Sequence, residues 1–173
     1  KARFGVASKH AWPPEVIAVK GSSEVSKTVR ATPGAIGYID YAYVAQDSLT
    51  PVQLRSAAGR YLSASPESFR NAVVNSRWFS HGDFSEGLVQ MPGEGAWPIT
   101  MGTYAVVPKV AAEPERAVRT LRFFMWAYGH GDALARHAKF AALPEKVQAS
   151  AFRELSSVTG RNGEPLGMNA LVR

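Results

Sequence analysis

Between residues 12 and 38 the spacing of the apolar side chains changes period twice, and that alternation limits the architectures open to the chain. "EVIAV" (15–19) has the length and composition of a short buried strand, entered through the stiff turn of "WPP". Gly21, Ser22 and Ser23 interrupt it. "EVSKTVRAT" then places Val25 and Val29 four residues apart, on one face of a helix. A serine ahead of such a run is an ordinary helix N-cap. Pro33 stops the helix and Gly34 turns the chain, so "AIGYI" reads as a second strand. Strand, helix, strand is the repeating unit of a layered α/β fold.

The remainder keeps to that pattern. "PVQLR" and "GRYLS" read as a hairpin bent at "SAAG". "SPESFRNAVVNS" carries a full helix start, with Ser65 as cap, Pro66 at the first helical position and Glu67 at the positive end. Phe69, Ala72 and Val73 fall on its inner face. Two strand-like runs flank a Pro-Gly-rich link in residues 87–109. "EPERAVRTLRFFMWAYGHG" is the strongest helix, with Val118, Leu121, Phe124 and Met125 at helical spacing and Gly129 and Gly131 at its end. "DALARHAKF" and "LPEKVQASAFRELSSV" follow as two more helices. The glycine-rich "TGRNGEPLGMNALVR" reads as irregular.

With 46% hydrophobic and 20% charged residues in 173, the chain has enough apolar material for a core and is not a disordered tail. No apolar run reaches the length of a membrane span. "KARFGVASKH" lacks an apolar leader core, which leaves a cytosolic protein or one whose leader has gone. Absence of cysteine removes disulfides, thiolate metal sites and thiol nucleophiles. The net charge of +6 favours anions near the surface. The bases are scattered without interleaved aromatics, so they read as a solvated surface and not a nucleic-acid platform.

Catalytic signatures do not emerge. His10, His81, His130 and His137 lack a metal-ligand spacing and read as surface histidines. "SHGD" (80–83) holds Ser, His and Asp, but triad members meet from separate parts of a chain. Gly-rich phosphate loops and nucleophile elbows are missing, and no cofactor is implied. The candidate anion site is "GSSEVSK": free N–H groups at a helix start beside the hydroxyls of Ser22 and Ser23. A serine that merely caps the helix is the competing reading.

"KGSSEVSKTVRATPGAIGYIDYAYV" strongly resembles the phosphate-binding subunit of bacterial phosphate ABC importers, in which a "G-N-x-G-V" helix start leads into "TPGSIGYVEYAYA". "SPESFRNAV" is similar to that family's "S-x-E-S-F-x-x-A" helix. "GAWPITMGTYAVVPK" is similar to its "WPI" segment and following strand, and "LRFFMWAYGHGDALARHAKFAALPEKV" to its later helices. The resemblance covers residues 12–150 and implies a type II periplasmic-binding-protein fold in an incomplete two-lobe form. Residues 1–98 would be the later part of the second lobe, and 99–173 the returning C-terminal part of the first. It also implies that "AIGYI" is a buried strand, that Gly34 and Gly37 turn and pack the chain closely, and that Tyr38, Tyr41 and Tyr43 are structural. Trp97, Pro98, Ile99 and Thr100 would form the interlobe crossing, at a hinge whose closure traps ligand.

The function so implied is phosphate binding for an ABC permease of the inner membrane, in the periplasm or at the cell surface, without bond making and without nucleic acid. Two departures qualify it. Glu24 stands where the family has the second glycine of its helix start, and the family's "SGT" ligand motif is absent. Family members are also roughly twice this length, so a missing N-terminal half, a partner chain or domain swapping would complete the sheets. The alternatives are an interaction or scaffold module of the same fold that no longer binds phosphate, and a binder of another oxyanion or small organic solute. An enzyme ranks last.

Overall fold

The computed structural model describes residues 12–171. They fall into two compact units, one ending at Leu49 and the other beginning at Thr50. Residues 98 and 99 therefore both lie in the second unit.

The first unit is built on α1 (Gly21–Ala31) and α2 (Tyr41–Gln46). Gly21 enters the helix at φ +80°, a conformation that side chains disfavour. The helix stops at Thr32, ahead of Pro33, and Gly34 turns the chain at φ +77°. Gly37 then lies on the helix: a Cβ there would stand 2.9 Å from Cγ atoms of both Val25 and Val29. Close packing at Gly37 and a turn at Gly34 are thus as expected. Asp40 caps α2, its carboxylate accepting from the Ala42 N–H at 2.9 Å. Tyr41 and Tyr43 are half-buried along that helix.

Neither expected strand of this unit forms. Among the described residues, 15–19 and 35–39 carry no strand pairing; the apolar side chains of 15–19 face outward, as do Ile36 at 87% exposure and Tyr38 at 83%, while Ile39 is half-buried. A strand is stable only with a neighbour to take its N–H and C=O groups. The described residues supply none here. The serines are displaced as well: Lys20 is the N-cap, without a side-chain cap bond, and Ser22 and Ser23 lie inside the first turn.

In the second unit, β1 (Leu54–Arg55) and β2 (Tyr61–Leu62) form the expected hairpin, pairing Leu54 with Leu62 and Arg55 with Tyr61. α3 (Pro66–Val74) starts with a capping box in which the Ser65 and Ser68 side chains satisfy each other's backbone N–H. α4 (Arg77–His81) is capped by Ser76 and closed by Gly82 at φ +67°. Of the two strand-like runs in 87–109, only the Val89–Ile99 bridge is paired. The chain next forms β3 (Val110–Ala111), α5 (Pro114–His130), α6 (Asp132–His137) and α7 (Glu145–Ser156). α5 passes through Gly129 and ends only at Gly131, which caps it.

The tail expected to be irregular carries two short elements as far as residue 171, and Gly160, Leu166, Gly167 and Ala170 in it are buried. β4 (Thr159–Gly160) pairs in parallel with β3, and α8 (Leu166–Asn169) follows. Gly167 is what lets this turn dock, since a Cβ there would stand 2.3 Å from the Leu155 carbonyl oxygen. Leu166 fills the centre of one core with Leu121, Met125 and Val158. A second core gathers Val73, Trp78, Leu88 and Val147. α7 contributes to both, through Phe152 and Leu155 to the first and Val147 to the second. The result is a mixed α/β structure with two small two-stranded sheets.

Candidate functional site

The N-terminal turn of α1 is where the sequence placed an anion. The backbone N–H groups of Gly21, Ser22 and Ser23 head the helix, where carbonyl partners are lacking and the positive end of the helix dipole emerges. Ser22 is half-buried and Ser23 exposed, and the exposed Lys20 precedes them. Neither hydroxyl is engaged as a cap. Opposing this, Glu24 enters the same turn. It accepts from Lys27 Nζ at 2.7 Å, and that hydrogen bond and charge raise the Lys27 pKa. Chemically the turn offers N–H, hydroxyl and ammonium donors beside one carboxylate that is already paired.

A buried hydrogen bond anchors this turn from behind. Ser26 is buried, and its hydroxyl donates to the Asp47 carboxylate just beyond α2. That bond ties α1 to α2. Its two residues lie 21 positions apart in the chain, so neither local pattern nor motif marks the pair.

Trp97, Pro98, Ile99 and Thr100 lie in the second unit, and all but Ile99 are buried. Trp97 is 7% exposed; its N–H donates to Ser68 O at 3.0 Å, and its ring meets Phe69 edge-on at 6.4 Å. The Pro98 carbonyl accepts from the Gln90 N–H at 2.8 Å, and the Thr100 hydroxyl donates to the Trp97 carbonyl at 3.2 Å. Ile99 points outward.

"SHGD" does not assemble a relay. The Ser80 hydroxyl lies 2.7 Å from His81 Nδ1. The Asp83 carboxylate turns instead to the Ser85 hydroxyl at 2.6 Å and to Arg77 at 2.8 Å. His130 stacks on Trp126 at 5.8 Å; His137 closes α6; His10 lies outside the described residues. Among the described residues, no cluster of three or more His, Asp or Glu is placed to hold a metal.

No family model matches the chain. It is 33% identical over 147 residues to the phosphate-binding protein PstS of Xylella fastidiosa strain Temecula1, and that span is 85% of the chain. The chain is a relative of the PstS phosphate-binding proteins. Those of Haemophilus influenzae (32% over 128 residues, 74% of the chain) and Pasteurella multocida (32% over 146, 82%) align similarly. Only 40%, 38% and 42% of the three PstS proteins are covered in return. The chain thus spans about two fifths of the length of the curated PstS relatives it matches.

An open groove of about 330 Å3 lies beside the start of α5. Arg119 and Arg122 line it together with Glu115 and Glu164, so its formal charges cancel. Balanced charge of this kind gives the groove no preference for an anion.

Proposed function

We propose that this chain is the later, C-terminal portion of the phosphate-binding component of an ABC phosphate importer, exported and acting by binding, not catalysis. The observation that carries the reading is the alignment: most of the chain matches PstS proteins, and most of each PstS protein lies outside the match. On this reading residues 1–98 belong to the later part of the second lobe of a type II fold. Residues 99–173 return to the first, and Trp97, Pro98, Ile99 and Thr100 are the hinge between them. Inorganic phosphate is held mainly by groups that the rest of the protein supplies. Ser22 and Ser23 at the head of α1 are the donors this chain would add. The loaded protein delivers phosphate to a permease in the inner membrane.

Calorimetric titration with phosphate, using sulfate as control, tests this on two samples. One is the 173-residue chain. The other is a fusion in which the portion of the Xylella fastidiosa PstS outside the match is joined to it. The fusion is expected to give saturable, phosphate-selective heat that weakens in a Ser22→Ala/Ser23→Ala variant, while the chain alone gives none. Selective heat from the chain alone would put the whole site within these 173 residues, at α1 if Ser22→Ala/Ser23→Ala removes it. A folded fusion without heat would favour the scaffold reading, which Glu24 supports by setting a carboxylate in the turn where an anion would bind.

A further inference from the structure

Residues 160–164, "GRNGE", close a tight turn between β4 and α8. The Gly163 N–H donates to the Gly160 carbonyl at 3.0 Å, and the Gly160 N–H donates to the Glu164 carbonyl at 2.8 Å. Gly163 sits at φ +81°, where a side chain is disfavoured, so glycine here answers a need of the backbone. Arg161, Asn162 and Gly163 are all exposed. Just beyond the turn the chain is held firmly: Leu166 is fully buried, and the Gly167 N–H donates to the Val158 carbonyl at 3.0 Å.

The Asn162 side-chain oxygen accepts from the Glu164 N–H at 3.1 Å. This is an Asx turn, a closed ring that contains both the Asn162 carboxamide carbon and the Gly163 nitrogen. Two consequences are chemical. A nucleophile and a carbonyl carbon in one small ring are held close to each other. The oxygen on which negative charge would gather during attack already faces a backbone donor. Gly163 also has no Cβ to shield its nitrogen. The other asparagines differ: Asn71 and Asn169 lie within α3 and α8, Asn75 ends α3, and each is followed by a residue with a side chain.

We propose that Asn162–Gly163 is a spontaneous deamidation site that the turn promotes, and that its isoaspartyl product releases α8. The Gly163 hydrogen bond opens first, and the exposure of the turn lets solvent reach it. The Gly163 nitrogen then gives its proton to solvent base and bonds to Asn162 Cγ. The bond from Cγ to the amide nitrogen breaks, and that nitrogen leaves as ammonia, taking a proton from solvent. The cyclic imide so formed adds one water at either carbonyl. Opening at Cγ leaves an aspartyl residue in a normal backbone, which keeps the acceptor for the Glu164 N–H. Opening at the main-chain carbonyl leaves an isoaspartyl linkage, whose backbone is one carbon longer. That linkage no longer fits the two hydrogen bonds that close residues 160–164, so the tether that seats Leu166 is lost.

Peptide mapping by mass spectrometry tests the site on the 173-residue chain, held at neutral and mildly alkaline pH with and without denaturant. The mass change of NH2 replaced by OH should appear at Asn162 ahead of Asn71, Asn75 and Asn169. Its rate should rise with hydroxide and be no slower in the folded chain than in denaturant. Asn162→Gln, which must close a larger ring, should lose the reaction. Modification in denaturant but not in the folded chain would overturn the proposal, because the turn would then protect the asparagine. The aspartyl and isoaspartyl forms separate by chromatography. The isoaspartyl form should melt below the parent and exchange its Gly167 and Ala170 amides faster, whereas Asn162→Asp should melt with the parent. An isoaspartyl form that melts with the parent would overturn the release of α8.

Discussion

Asp83 shows how little sequence adjacency says about the role of a side chain. Its carboxyl is held below the usual carboxylate range, first by the Ser85 hydroxyl, then by the Ser85 N–H, with smaller help from Arg77. A depressed folded-state pKa contributes stability above the unfolded value, and that contribution is lost as pH falls through the folded value. Ser85→Ala removes the largest of these contributions and leaves the backbone bond. The Asp83 pKa should then rise toward its ordinary value and the acid-side loss of stability should become shallower, as followed by carboxyl carbon NMR and denaturation across the acid range. An unmoved pKa would contradict the assignment. Ser80 and His81 stay outside this account, since the carboxylate has turned away from them.

At the scale of elements, α8 is the informative case. It is a single turn, too short for any period to register, yet Leu166 is fully buried between α5 and β4. Leu166→Ala should cost about 2–5 kcal/mol by urea denaturation, against near-neutrality for an exposed turn. Elements that were legible in the sequence carry their instructions locally. Ser65 and Pro66 start α3, "SAAG" bends the hairpin, and the Val118–Leu121–Met125 spacing sets the buried face of α5. Those that were not legible depend on something distant. "EVIAV" and "AIGYI" have strand composition, but pairing decides a strand, and nothing in five apolar residues says whether a neighbour is at hand. The candidate site follows the same division. That serines and a helix start coincide could be read from "GSSEVSK". That Lys20 takes the cap position and leaves both hydroxyls in the first turn depends on the backbone rotation at Gly21.

For the molecule as a whole, stability should be unevenly distributed. Amides around Leu121 and Met125 sit in a core closed by α5, α7 and α8, while residues 36–39 make no backbone hydrogen bond among the described residues. Exchange in the isolated chain should therefore be slowest in the middle of α5 and near the free-chain rate at 36–39. Comparable protection at both places would mean that 36–39 is paired in solution. Residues 101–108, the run before β3, end in Pro108, whose nitrogen carries no hydrogen. Any ladder of bonds laid along that run lacks a donor at its last residue, so the proline marks how far a strand of this sequence can be read toward β3.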